Sequence, residues 1–303
     1  MQLFPKKLSQ IYLVLFVSAF LTITGNFTFF QKTILIYPLS ENWLFLGSLF
    51  FFLFTFLAAL LLLFCYRVTT KPILMVLLMI SAIVSYSTNN YGIVFDHNMI
   101  LNTFETDTSE FLDLVSFKSI LYFFIFGLLP SIFVLKVKLK KISFKAQLWE
   151  RIKTFLVLVI IFVIIVLTFS KHYSSFAREN RDLRLYITPT YYLYSATKFV
   201  DSKFATSTKP FKEIGLDAKL NKKSDTRRLV ILVVGETARA DHMSLNGYDR
   251  NTNPYLEKEE IISFDKMTSC GTDTALSVPC MFSLLDRSSY NHAKGKNMSN
   301  VLD

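Results

Sequence analysis

The sequence predicts a multi-pass α-helical membrane domain followed by part of an α/β domain that lies outside the membrane. Of the 303 residues, 52% are hydrophobic and only 18% are charged, whereas a soluble domain has about 45–50% apolar and about 25% charged residues. Five long apolar runs occupy the first 170 residues. In the second half, the run LVILVV at 229–234 is short and rich in β-branched residues, which is typical of a buried parallel strand.

The five apolar runs are the predicted transmembrane helices. They cover residues 9–30, 43–66, 72–86, 117–135 and 154–170. Crossing a bilayer takes about 20 residues, so four runs are long enough and the third needs to continue toward Tyr91. Buried helices of a soluble protein would carry polar residues at helical period, and the run FLVLVIIFVIIVLTF carries none. The first run lacks a small-residue cleavage site, which favours a retained anchor over a cleaved signal peptide.

The distribution of basic residues predicts the orientation of these helices. Lys and Arg concentrate before the first run, between the second and third, and between the fourth and fifth. The opposite connections hold few, and the one at 89–118 contains five acidic residues. By the positive-inside rule, the N-terminus is cytoplasmic and everything after residue 170 is outside. The net charge of +10 is then mainly a topology signal, and without a basic stripe interleaved with aromatics we expect no nucleic-acid partner.

The same pattern divides the chain into three segments. A membrane domain at 1–170 is followed by a bridging segment at 171–227, whose tyrosines and charges are typical of a membrane–water interface. A second domain begins at 228 and continues to 303, and it starts with the predicted strand.

The outer connection at 89–118 is long for a simple loop and contains a regular polar pattern. Asn102, Thr106 and Glu110 recur at four-residue spacing, which on a helix places all three on one face. Two interpretations are open. The face is either the solvated side of an interfacial helix or a polar site at the membrane surface that meets a lipid headgroup.

Two features of the second domain indicate phosphate or metal chemistry. Glu236 follows the predicted strand, at the edge where ligand sites of open α/β sheets collect; a cation ligand, a helix cap and an ion-pair partner are all consistent with it. Thr272 and Thr274 precede a predicted helix from Ala275. A hydroxyl there suits phosphate binding or an ordinary N-cap, and it becomes a nucleophile when a metal or base takes its proton.

Cys270 and Cys280 flank the threonine segment. Outside the membrane, two nearby cysteines are most simply explained by a disulfide. A cysteine-based metal site is the alternative, and it lacks companion Cys or His residues at usable spacing.

These motifs resemble the phosphoethanolamine transferases of the Gram-negative inner membrane, the family that includes the lipid A-modifying enzymes behind polymyxin resistance. The resemblance rests on VVGETARADH at 233–242, NGYDRNTNP at 246–254 and SCGTDTALSVPCMFS at 269–283. The five-span topology and the spacing of the polar residues in the outer connection also agree. The resemblance covers essentially the whole chain.

The resemblance implies a fold, a cofactor and a set of site residues. It implies that residues 228–303 are the N-terminal part of the catalytic domain, a sulfatase-like and alkaline-phosphatase-like α/β domain in the periplasm. It also implies zinc as cofactor, with Glu236 as a zinc ligand. It selects Thr274 over Thr272 as the nucleophile and places Thr274 beside the zinc. It implies that Cys270 and Cys280 form a disulfide. It also places three residues around the phosphatidylethanolamine donor: Asn102, Thr106 and Glu110.

The activity implied is transfer of phosphoethanolamine from phosphatidylethanolamine to lipid A or another envelope glycan, through a phosphothreonine. Asp241 and His242 resemble a metal pair but do not match the zinc residues of the family, so we interpret them as structural. The chain after residue 227 is too short for a covered sheet, and the distal zinc ligands are missing. We therefore expect an N-terminal part of an enzyme, inactive alone. The alternatives are a phosphoglycerol-type transferase and a non-catalytic protein that interacts through its membrane spans.

Overall fold

The structure is a computed structural model of the chain, and it divides into two compact units, Met1–Phe204 and Ala205–Asp303. It describes residues 7–105, 115–204, 211–219, 229–235, 238–264, 266–272, 274–290 and 301. The first unit therefore extends beyond the membrane domain predicted at 1–170 and includes much of the predicted bridging segment.

The first apolar run forms two helices instead of one. Helix α1 (Gln10–Gly25) and helix α2 (Phe27–Ile36) meet at an angle of 57°. Asn26 between them has a non-helical backbone (φ −116°, ψ 25°), and its side-chain amide donates to the carbonyl of Leu21 at 3.1 Å. The bend follows because Asn26 leaves the helical path and satisfies a carbonyl at the end of α1 with its own side chain.

The second and third runs form α3 (Leu39–Phe64) and α4 (Thr70–Tyr91), each long and apolar enough to span a membrane. Helix α4 continues through polar residues to Tyr91, as the third predicted span required. Asn90 donates to the carbonyl of Tyr86 at 2.9 Å, and Gly92 with φ +69° ends the helix in a left-handed cap. Polar side chains near the end of α4 thus bond to backbone carbonyls instead of breaking the helix.

The connection at 89–118 contains a short helix, α5 (His97–Glu105), before the next long helix, α6 (Phe117–Lys136). Ser116 and Ser119 form a capping box at the start of α6, which satisfies orphan amides there. A π-helical turn at Phe124–Leu128 interrupts α6.

The fifth run forms α7 (Phe144–Thr168). Four single helices in the described part of the chain, α3, α4, α6 and α7, pass the length and hydropathy test for spanning, and the bent pair α1–α2 makes a fifth if it counts as one span. Each predicted run therefore forms helical structure, and five candidate spans are present only if the bent pair counts as one.

The chain returns to the helical bundle after α7 through α8 (Ser170–Glu179), a 3-10 turn (Arg181–Tyr186) and α9 (Thr190–Phe204). Phe176 and Leu183 are buried in one apolar core with Phe29 and Phe45. Tyr192 is buried in the other core, which is formed mainly by α1, α3 and α4. Burial of these side chains explains why the compact unit ends after residue 204.

The described part of the second unit contains three short 3-10 turns and one α-helix, α10 (Thr274–Met281), but no β-strand. The prediction of a buried strand at 229–234 is wrong for this structure, because those side chains are exposed, Leu229 by 88% and Val233 by 82%. A parallel strand is stabilised by paired neighbours and by cover on both faces. Within the described residues this segment has neither, so the α/β fold is not confirmed.

Candidate functional site

Helix α5 carries the first of the three predicted substrate residues. The Asp96 carboxylate accepts from the Met99 backbone amide at 2.8 Å, so Asp96 caps the N-terminus of α5. Asn102 lies in the last turn of α5 and is half-buried. Thr106 and Glu110 lie outside the described residues.

Aromatic contacts hold α5 against α9. The rings of Phe104 and Phe199 stack with centroids 5.2 Å apart and an interplanar angle of 5°. His97 meets the same Phe199 edge-on at 6.0 Å, and Leu101 between them is buried. The position of Asn102 therefore depends on the position of α9.

Two polar contacts fix α9 and its approach to the helical bundle. Asn26 donates to the carbonyl of Thr188 at 2.8 Å and accepts from the Thr188 amide at 2.9 Å. The hydroxyl groups of Tyr192 and Ser81 lie 3.1 Å apart. None of these positioning residues was among the predicted site residues. The signal was the presence of polar residues inside two apolar runs, among them Asn26 in the first run and Ser81 in the third, because a polar side chain in a membrane helix indicates a packed interior contact.

Thr274 is the first residue of α10, and its side chain is exposed. The amides at the start of a helix carry a partial positive charge, which stabilises an anion near the first turn. Thr272 is also exposed and lies two residues before the helix. A hydroxyl at position 274 is thus placed where negative charge on an attacking oxygen or on a phosphate is favoured.

A disulfide closes the segment around Thr274. Cys270 and Cys280 are bonded, with their Cα atoms 6.3 Å apart, so the residue before the loop is tied to the last turn of α10. A Cβ atom added at Gly271 would overlap the side chain of Leu276. The loop can pack this closely on the helix because residue 271 is glycine.

The predicted metal residues are only partly placed. Glu236 lies outside the described residues, and Thr274 is the one member of the predicted pair for which the structure gives a position. Within the ranges described, no three His, Cys, Asp or Glu side chains lie close enough together to hold a metal ion.

Asp241 and His242 take part in local structure. Arg239 donates to both carboxylate oxygens of Asp241, at 3.0 and 2.6 Å, and this hydrogen bonding lowers the pKa of Asp241 below its ordinary value. The carbonyl of His242 accepts from the Thr252 hydroxyl at 2.7 Å, which ties the turn to the following loop. These contacts agree with a structural role for the pair.

Comparison with known proteins identifies the family. Residues 53–204 match the model of the phosphoethanolamine transferases EptA and EptB, a range that ends with α9, and residues 228–303 match the sulfatase model. The chain belongs to the EptA/EptB phosphoethanolamine transferase family. The match begins within α3 and ends with α9, so it includes the helix that carries Asn102.

Individual relatives match along nearly the whole chain. It is 39% identical over 306 residues to the phosphatidylethanolamine transferase Mcr-1 of Escherichia coli, covering 99% of this chain and 57% of Mcr-1. It is 30% identical to EptA of Salmonella typhimurium, covering 98% of this chain and 55% of that protein.

A solved structure supports the fold. The integral membrane protein lipooligosaccharide phosphoethanolamine transferase A of Neisseria meningitidis aligns with a TM-score of 0.88 at 30% identity, covering 98% of this chain and 56% of that one. The chain thus spans about half the length of the EptA-type relatives that it matches.

Proposed function

We propose that this chain forms the membrane domain and the first part of the catalytic domain of an enzyme that transfers phosphoethanolamine from phosphatidylethanolamine to lipid A or a related glycolipid. Family membership supports the reaction class. The name of Mcr-1 supports the donor, and that of the Neisseria protein supports a lipooligosaccharide-type acceptor. The observation that carries the proposal is Thr274, an exposed hydroxyl at the first residue of α10 within the sulfatase match.

Thr274 is proposed to act as the nucleophile. Its hydroxyl loses a proton as Oγ1 forms a bond to the phosphorus of phosphatidylethanolamine. The bond from phosphorus to the diacylglycerol oxygen breaks, and that oxygen takes up a proton. An acceptor oxygen then attacks the same phosphorus, the bond from phosphorus to Thr274 Oγ1 breaks, and Oγ1 takes up a proton to restore the hydroxyl. Positive potential at the start of α10 favours the negative charge that develops on the phosphoryl oxygens.

Zinc is the proposed cofactor, with Glu236 and Thr274 among its ligands. Both offer oxygen atoms that zinc accepts, but zinc is almost always held by about four ligands, so these two supply only part of the set. When bound, zinc supplies positive charge that lowers the pKa of a hydroxyl in contact with it. The disulfide between Cys270 and Cys280 keeps the Thr274 loop on its helix and so limits the positions open to this hydroxyl.

The membrane unit is proposed to bind the donor. Asn102, Thr106 and Glu110 would contact the phosphoethanolamine headgroup, with the carboxylate facing the ammonium group and the amide facing a phosphate oxygen. Contact between α5 and α9 supports a fixed position for the first of these residues. Both substrates are lipids, so a site at the membrane surface supplies proximity.

The proposed orientation follows the basic connections, with the N-terminus in the cytoplasm of a bacterial inner membrane and the second unit in the periplasm. We also propose that the 303-residue chain does not transfer phosphoethanolamine by itself, because two zinc ligands are an incomplete set.

The test uses a chimera in which residues 1–303 are continued by the C-terminal part of Mcr-1. We expect the chimera to modify lipid A and to form a phosphoethanolamine adduct on the peptide that contains residue 274, both detected by mass spectrometry. Thr274→Ala should abolish adduct and product, and Thr272→Ala should retain them.

Four outcomes would contradict parts of the proposal. An adduct that is undiminished in Thr274→Ala would show that Thr274 is not the nucleophile. An adduct that is lost only in Thr272→Ala would assign the nucleophile to Thr272. A product with the mass of a phosphoglycerol group would change the reaction class. Transfer by the 303-residue chain alone would refute its inactivity.

A further inference from the structure

One end of the helical bundle carries a connection that is fixed by backbone pairing. The amide of Leu8 donates to the carbonyl of Lys138 at 3.0 Å, and the amide of Lys140 donates to the carbonyl of Leu8 at 2.9 Å. Leu8 and Leu139 form an isolated parallel bridge. The connection between α6 and α7 is therefore attached to the segment that precedes α1.

Side-chain contacts fix the start of α7 at the same end. Arg151 donates to the carbonyl of Cys65 at 2.5 Å and also to that of Leu62, so it satisfies carbonyls at the C-terminus of α3. Gln147 donates to Gln10, and Gln10 donates to the carbonyl of Cys65 at 2.9 Å. The first turns of α7 are thus held against α1 and α3.

This end has a concentration of exposed positive charge. Eight exposed basic side chains, which we call the basic surface, are Lys7, Arg67, Lys136, Lys138, Lys140, Lys141, Lys145 and Lys153. Residues 115–170 contain a single acidic residue, Glu150. In the part of the chain that the structure describes, neither recorded ion pair includes a residue of the basic surface.

Exposed aromatic side chains lie next to the basic surface, at the start of α7. Trp149 is 60% exposed and Phe144 is 59% exposed, both in the first two turns of α7. The Lys153 ammonium lies 5.0 Å from the centroid of the Trp149 ring. Tryptophan at the end of a spanning helix marks the level of the lipid headgroups, so the neighbouring lysines lie where lipid phosphates are found.

We propose that the basic surface binds the phosphate groups of anionic phospholipids, of the phosphatidylglycerol or cardiolipin class, in the adjoining leaflet. Clusters of four to eight basic residues next to a spanning helix attract anionic lipids, and here the backbone bridge and the Arg151 contacts hold the cluster in place. Trp149 marks the level of the lipid headgroups next to this cluster. This binding is independent of the proposed transfer reaction, because it concerns the opposite end of α3 and α4 from the segment that carries α5.

The two tryptophans of the chain provide matched reporters. Trp149 lies beside the basic surface, and Trp43 lies in the first turns of α3, about 30 Å along the helix from its other end. Their exposures are alike, 60% and 62%. Trp43→Phe leaves only the reporter at the basic surface, and Trp149→Phe leaves only the control reporter.

Each single-tryptophan chain would be reconstituted in two preparations of phosphatidylcholine vesicles. One preparation contains phosphatidylglycerol that is brominated on its acyl chains, and the other contains phosphatidylcholine that is brominated on its acyl chains. We expect brominated phosphatidylglycerol to quench Trp149 about twofold more than brominated phosphatidylcholine, with a ratio near one at Trp43. High salt should lower the ratio at Trp149 toward one, because these charges are exposed to solvent.

Charge-matched variants complete the test. A chain with Lys138, Lys140, Lys141 and Lys145 changed to Gln should give a ratio near one at Trp149. A control chain with Lys212, Lys219, Lys258 and Lys266 changed to Gln loses the same charge from the second unit and should keep the twofold ratio. Equal quenching by the two lipids at Trp149 would refute the proposal, as would a ratio that persists in high salt. An equal decrease of the quenching ratio in both four-lysine variants would attribute the effect to net charge and would also refute the proposal.

Discussion

Replacing Asn26 by alanine should lower the free energy of unfolding of the first unit by about 2 kcal/mol. Asn26 is 2% exposed and Thr188 is 5% exposed. The substitution removes both hydrogen bonds between them, of 2.8 and 2.9 Å. The amide and the carbonyl of Thr188 are then left buried without these partners.

The magnitude follows from those two backbone groups. Leaving a buried donor or acceptor unsatisfied costs about 1–3 kcal/mol. We take the lower end for each group, since side-chain hydrogen bonds in membrane proteins average only about 0.6 kcal/mol because the unfolded chain also finds partners. For a unit of this size, about 2 kcal/mol corresponds to a decrease in Tm of about 4–8 °C.

Thermal unfolding of the detergent-solubilised chain, followed by circular dichroism, measures this change. Asn98→Ala is the matched control, because Asn98 is an exposed asparagine in the first turn of α5, and surface changes usually stay within about 0.5 kcal/mol. A Tm for Asn26→Ala equal to that of the control would refute the assignment of Asn26 as a structural anchor.

Two further predictions concern packing and charge. Gly127→Ala should destabilise the first unit by about 1–3 kcal/mol, because the new Cβ would lie 3.1 Å from the Cβ of Ala82. Gly47→Ala meets nothing within 4 Å and should be neutral or stabilising in the same melting assay; equal losses in both would contradict this reasoning. The carboxyl of Asp241 should titrate below its ordinary pKa and return toward it in Arg239→Gln, as measured by NMR. Because the pKa of Asp241 is lower in the folded chain than in the unfolded chain, the pair stabilises the folded state at pH values above the unfolded pKa. This stabilisation is lost as the pH falls through the folded pKa. An unchanged titration of Asp241 in Arg239→Gln would disprove the pairing.

Apolar composition predicted the helices of the first unit well and their ends less well. A run such as 154–170 is helical because backbone groups in an apolar setting must bond within the segment. The ends depend on single polar residues. Asn26 bends the first run, and Asn90 lets the third continue to Tyr91, because each side chain bonds to a nearby carbonyl. Such local bonds are not visible in hydropathy.

The second unit was predicted less well because its elements depend on distant partners. The β-branched run at 229–234 has the composition of a strand, but composition supplies neither the neighbouring strand nor the cover that would bury it. The helix that begins at Thr274 depends on nearby residues, and Cys280 in its last turn is bonded to Cys270 just before it. Glu236, Thr106 and Glu110 lie outside the described residues, so their predicted roles stay predictions.

The contacts in the first unit connect the helical bundle to α5, the helix that carries Asn102, which is predicted to contact the phosphatidylethanolamine donor. Thr188 is held by Asn26, and α9 begins two residues later. Tyr192 ties the first turn of α9 to Ser81 of α4, and Phe199, two turns further on, stacks on α5. Because α9 has two separate attachments to the bundle, the loss of either one should shift α5 without releasing it. The position of the helix that carries Asn102 thus depends on residues outside the predicted site, some in the apolar runs and others in the segment after residue 170.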